Sequence, residues 1–171
     1  MKKFELTDEF ITSNSSKKLY RIRALVSFSD VKAGELGGYV EKEENLSDDG
    51  NAWVYGNAQV SGNARVYGDA WVYGDAWVSG NARVYGNARV SGNADILQIT
   101  GLGTVHRTTT VFRTTDGIRI ACGCFYGDLN AFREQVKNTR EGKVQLEYLA
   151  FADLIEIYFR EEEEDERRTK K

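Results

Sequence analysis

Between residues 51 and 98 the chain alternates apolar and variable positions, and the alternation restarts every six residues. It reads NAWVYG, NAQVSG, NARVYG, DAWVYG, DAWVSG, NARVYG and NARVSG, then NADILQ, which keeps only the first half of the pattern. NLSDDG (45–50) is a degenerate copy ahead of them. In each hexad A-x-V-x predicts a short strand with Ala and Val on one face and the variable pair on the other. The Gly that follows, with its Asn or Asp, tolerates positive φ and predicts a corner. Ala52, Val54, Ala58, Val60, Ala64, Val66 and their successors form the inward set. One small and one branched apolar residue per hexad make a thin core, which closes only if strands stack on strands. An antiparallel meander with two-residue turns satisfies this spacing, and so does a solenoid with three hexads per coil. The pattern alone chooses neither and gives no handedness.

The flanking segments follow other periods. LYRIRALVSF (19–28) alternates as a strand with Tyr20, Ile22, Ala24, Val26 and Phe28 on one side. Gly34, Gly37 and Gly38 predict a turn into the first coil, and EKEENLSDDG (41–50) a polar, acidic connection. After Ala94 the repeat decays through ILQITGLG (96–103). TVHRTTTVFRT (104–114), TDG (115–117) and IRIACGCF (118–125) predict a β-hairpin. GDLNAFREQVKN (127–138) predicts a helix capped by Asp128 with Leu129, Phe132 and Val136 on one face. KVQLEYLAFADLIEIYF (143–159) predicts a second, more apolar helix, with Leu146, Leu149, Ile155 and Phe159 buried. EEEEDERRTKK (161–171) reads as a frayed helix end or solvated tail. The expected order is an N-terminal strand and cap (1–44), the repeat (45–98), an α+β unit (99–160) and the charged tail (161–171).

The A-x-V-x-G-[N/D] tandem resembles the hexapeptide repeat of left-handed parallel β-helix proteins. DVKAGELGGYV (30–40) resembles the lead-in of a group of bacterial and phage hexapeptide-repeat proteins, some described as transferases. Together the resemblances cover about residues 17–98. They imply a mainly β fold: a short left-handed β-helix of about three 18-residue coils, often trimeric, capped by the two flanking units. The fold hosts acyltransferases, carbonic anhydrases and proteins without known activity, so it does not fix a function.

A period of 18 stacks outward residues into ladders about 4.8 Å apart. One face then carries Trp53, Trp71 and Arg89 beside Tyr55, Tyr73 and Ser91. The next carries Gln59, Trp77 and Asp95 beside Ser61 and Ser79, and the third Arg65 and Arg83 beside Tyr67 and Tyr85. All three tryptophans fall on outward positions. Aromatic ladders stabilise a thin solenoid, but a Trp/Tyr/Arg surface also has the composition of an interface, most simply between identical subunits. A cleft there would stack a ring on Trp or Tyr and hold phosphate or carboxylate on Arg65 and Arg83.

Composition narrows the classes. The 171 residues carry a net charge of −3, with 41% apolar and 12% aromatic residues, 17 Gly and no Pro. Such a chain is neither disordered as a whole nor a strongly basic nucleic-acid binder. It has no apolar run long enough to span a membrane, and MKKFELTDEF has no signal-peptide core, so a cytoplasmic protein is expected. Cys122 and Cys124, two apart in a predicted strand, are expected on one face as reduced thiols. With His106 the only histidine, no metal site and no cofactor are expected.

An acyltransferase resembling others of the class would use a histidine general base on or near a coil. No hexad contains histidine, and His106 lies on the predicted hairpin, so an enzyme is the lesser expectation. HRTTTVFR gathers His106, Arg107 and Arg113 with hydroxyls, a set suited to an anionic ligand. Cross-strand threonine pairs on a solvated strand explain the same residues without a ligand. The expected function is a non-catalytic oligomeric binding protein, of the kind a phage would use to block host defence by sequestering a nucleotide signal or occluding a host protein. A plain oligomerisation scaffold is the structural alternative.

Overall fold

A computed structural model describes residues 1–160; the charged tail expected at 161–171 lies outside the described residues. It resolves the choice left open by the hexads. Their strands pair in parallel, 18 residues apart. β1 (Phe4–Thr12), β2 (Lys18–Ala24) and β3 (Leu36–Val40) precede the repeat. The hexads supply β4 (Trp53–Val54), β5 (Gln59–Val60), β6 (Arg65–Val66), β7 (Trp71–Val72), β8 (Trp77–Val78), β9 (Arg83–Val84) and β10 (Arg89–Val90). Trp53, Trp71 and Arg89 are in register along the ladder β4-β7-β10. Gln59 pairs with Trp77, and Arg65 with Arg83. From Ala52 to Val90 every repeat Ala and Val is buried. The corner glycines from Gly56 to Gly86 hold φ between +58° and +69°. The seventh, Gly92, is extended, and there the winding stops. Asn93–Asp95 form a 3₁₀ turn, so Asp95 is no rung, and the ladder expected through Gln59 and Trp77 ends at Trp77.

At the N-terminal end the ladder starts earlier than the expected boundary at 45. β3 pairs in parallel with β5, Tyr39 opposite Gln59, and Leu46 bridges Val66. Both offsets are 20 residues, so the first coil is two residues longer than the others. Gly37 and Gly38 do not form the expected turn. They lie inside β3, where a Cβ on Gly38 would meet the Ala58 carbonyl oxygen at 2.6 Å and one on Gly37 the Ile22 side chain at 2.6 Å. Only Gly34 is a turn residue, with φ +88°. β1, which the sequence reading missed, pairs antiparallel with β2. The strand expected over 19–28 ends at Ala24, and a register shift between Arg21 and Arg23 breaks its alternation.

Two side chains stand in for the missing backbone of a further coil. Lys3, 3% exposed, donates its Nζ to the Ala52 and Gly50 carbonyls at 2.8 and 3.3 Å. Buried Asn45 donates Nδ2 to Ala64 and Gly62. Unmade hydrogen bonds in a core cost about 1–3 kcal/mol each, which such caps avoid.

The C-terminal unit is larger than a hairpin. β11 (Ile96–Leu102), β12 (Arg107–Thr114), β13 (Gly117–Cys122) and β14 (Phe125–Gly127) form an antiparallel meander. The segment where the hexads decay is thus a strand. α1 (Leu129–Thr139) is capped by Asp128, whose carboxylate accepts from the Ala131 N–H at 2.8 Å. α2 is Gly142–Tyr158. The sheet lies between two cores: Phe112 and Ala121 join the solenoid core, while Val111 and Ile120 join the core under the helices. α2 buries Tyr148, Phe151, Ala152 and Ile155, which puts Leu146, expected inside, at 67% exposure on the opposite face. Cys122 ends β13 and Cys124 follows beyond Gly123, whose φ is +62°, so the pair does not share a strand face. No described helix is long and apolar enough to cross a membrane.

Candidate functional site

The faces of the coil have different fates. On the first, Trp53 is fully buried, contrary to the outward surface expected. It points out of the coil, but Phe4 and Phe28 cover it at ring separations of 6.4 and 5.4 Å. Trp71 is half-buried between the Tyr55 ring, edge-on at 5.4 Å, and the Arg89 guanidinium at 4.4 Å. Arg89 also donates to the Asp69 and Ala88 carbonyls. Around Trp53 and Trp71 this face is internal packing. Tyr73, 36% exposed, and Trp77, 45% exposed, remain open.

On the third face Arg65 and Arg83 are exposed and in register, about 4.8 Å apart along the ladder. Their like charges sit side by side, and neither side chain has an ion pair or hydrogen bond among the described residues. Beside them Tyr67 and Tyr85 stack with centroids 4.6 Å apart and planes within 7°, and Tyr126 of β14 continues the column at 4.7 Å. Burial pushes the phenol of Tyr85 up to about 12.

β12 brings a second group beside Arg83. Thr110, buried on the solenoid side, accepts from the Arg83 backbone N–H at 3.2 Å and so fixes the hairpin against the last coil. A cavity of about 330 Å³ follows, lined by Asn81, Arg83, His106, Arg107, Thr108 and Thr110 together with Ala121 and Gly123. The Arg107 side chain also has no ion pair or hydrogen bond among the described residues. His106 adopts φ +48° in a turn, with Nδ1 3.0 Å from the Gly101 carbonyl oxygen. The two residue sets that the sequence placed on separate elements meet here.

Arg113 does not join them. Six residues along β12, its Nε pairs with Asp95 Oδ1 at 3.0 Å, and its guanidinium lies 5.4 Å from the Phe159 ring centre. Of the threonines, Thr100 and Thr108 make the cross-strand hydroxyl pair expected without a ligand, at 2.8 Å. Thr109 donates to the Cys122 thiol. No group of three or more metal-ligating side chains occurs among the described residues. Asn81 was missed by the sequence reading. It is a hexad corner like any other, and only the docking of β12 onto the last coil gives it a place in the cavity.

No curated protein matches the chain. A family model, the YdcK beta solenoid repeat, matches residues 58–74, 76–92 and 82–95. The match covers the hexads of β5 to β10, and by it this stretch of the chain is similar to a β-solenoid repeat protein.

Proposed function

We propose that the chain is a non-catalytic binding protein for an anionic, phosphate-bearing ligand, held in the groove where the last coil meets β12. One observation carries this reading: Arg65 and Arg83 line one cavity, Arg83 and Arg107 line a second, and none of the three guanidinium groups has a carboxylate or carbonyl partner among the described residues. Elsewhere Arg21, Arg23, Arg113 and Arg133 pair with carboxylates. Guanidinium groups match phosphate oxygens in a planar fork, and hydroxyl and amide groups of Thr108 and Asn81 can add neutral donors.

The coil is read as the left-handed hexapeptide type, supported by the 18-residue spacing and the A-x-V-x-G-[N/D] pattern. Exposed Trp77 and Tyr73 support a homo-oligomer, a trimer by the resemblance. Sequestration of a nucleotide signal, as a phage-borne inhibitor of host defence would perform, needs only such a binding surface.

The test is a thermal-shift titration with orthophosphate and pyrophosphate, since a ligand held only by the native state raises Tm. A rise that Arg83→Ala and Arg107→Ala each abolish, with Arg113→Ala still responding, is expected. No rise, or a rise indifferent to Arg83, contradicts the reading. Light scattering reads the assembly separately, and a monomer contradicts the trimer alone.

A further inference from the structure

We propose that the cavity beside Tyr67 takes the base of a nucleotide that carries an exocyclic amino group, the ring stacking on Tyr67 and the phosphate reaching Arg65 and Arg83. The inference deepens the anion reading and rests on it for the phosphate end.

The phenol column is open at one end. Tyr67 stacks on Tyr85 with one ring face. Toward the preceding rung its neighbour is Ser47, because Leu46 bridges Val66 and the Ser47 N–H donates to the Val66 carbonyl. A serine leaves the place of a third ring unfilled. A cavity of about 570 Å³ occupies that place, and Ser47, Tyr67, Arg65 and Arg83 all line it. Bases stack on aromatic side chains at about 1–3 kcal/mol each, and any planar base presents the required face.

The charges in the same cavity select the ligand. Glu43, Glu44 and Asp48 line it as well. Glu43 is held by Lys2 at 2.6 Å, and Asp48 accepts from the Lys3 N–H at 2.8 Å. Glu44 has no hydrogen-bond or ion-pair partner among the described residues. An anion alone would be repelled by these carboxylates and drawn to the arginines. A molecule with amino N–H donors at one end and phosphate at the other fits both, and such a carboxylate accepts from an exocyclic amino group as it does from cytosine N4. Adenine, cytosine and guanine nucleotides have this polarity.

Calorimetric titrations of the full chain with orthophosphate, adenosine 5′-monophosphate and inosine 5′-monophosphate separate the parts. Adenosine 5′-monophosphate is expected to bind at least about tenfold more tightly than orthophosphate. The inosine compound, with a carbonyl in place of the amino group, should bind more weakly than the adenosine one. Ser47→Tyr fills the vacant ring position and should bring the adenosine nucleotide down to the level of orthophosphate, whose own binding is unchanged. Should Ser47→Tyr fail to fold, Tyr67→Ala must lose the tenfold advantage and Tyr67→Phe must keep it. Equal affinity for orthophosphate and both nucleotides, or full nucleotide affinity in Tyr67→Ala, overturns the base site and leaves the anion site standing. Equal binding of the adenosine and inosine nucleotides overturns the amino-base assignment. Binding of none of the three overturns the base site and the anion reading together.

Discussion

The first and third faces of the coil are built from the same hexad, yet one is packing and the other is an open groove. Arg89 and Arg83 occupy the same hexad position. Eighteen residues before Arg89 stands Trp71, on which it stacks; eighteen residues before Arg83 stands Arg65, which repels it. Beyond the first face lie Phe4 and Phe28, which seal Trp53. Across the third, Tyr126 covers only the Tyr85 end of the ring column, and the small Ser47 leaves a cavity beside Tyr67. The role of a repeat position is therefore set by its neighbours one coil away and by the cap on its face, not by the hexad itself.

The contrast breaks most visibly at Trp53. Trp53→Ala removes a fully buried ring and should cost about 3–5 kcal/mol in urea unfolding, whereas Trp77→Ala stays within about 0.5 kcal/mol. Equal costs would mean that the N-terminal strands do not cover the first face. Gly38→Ala places a Cβ 2.6 Å from the Ala58 carbonyl oxygen and should cost about 1–3 kcal/mol, read from the same curves. Gly34 has open space around it but φ +88°, so Gly34→Asn is expected to cost less. Next come the two arginines. Arg89→Ala gives up a ring contact and two carbonyl bonds, for about 1 kcal/mol of stability and no change in phosphate affinity. Arg83→Ala should do the reverse, leaving the melting curve in place and weakening phosphate about tenfold or more.

The cap at the N-terminal end is read by a pH slope. Burial lowers the Lys3 ammonium from its ordinary range to about 8, despite the opposing pull of Asp48 and Asp49. The unfolded chain binds that proton more tightly, so Lys3 adds stability as pH rises from about 8 towards 10. The difference in Tm between the native chain and Lys3→Met should shift in favour of the native chain over that window. A difference that stays flat contradicts a native Lys3 that sheds its proton so early.

The repeat was legible because A-x-V-x-G states a strand, an inward face and a corner within six residues, and tandem copies remove ambiguity. Its ends were not. Gly37 and Gly38 read as turn residues because glycine marks both turns and close approaches, and only the stacked β5 separates the two. β1 was missed because its burial pattern hardly alternates, with just Phe4 buried. Leu146 was misplaced because α2 is apolar around much of its circumference, which leaves the buried face undetermined. Of the groove, its cations were legible as residues. That Arg83 and Arg107 would meet, and that Arg113 would be taken by Asp95, depended on where β12 docks, which no local pattern encodes.

The central claim is that coil and hairpin build one anion site together. A double-mutant cycle on pyrophosphate affinity, measured by calorimetry for the native chain, Arg83→Ala, Arg107→Ala and the double variant, tests it most directly. Each single change should weaken binding about tenfold or more, with the double variant losing clearly less than the product of the two. Losses that simply multiply, or a single variant that binds as the native chain does, would contradict a shared site.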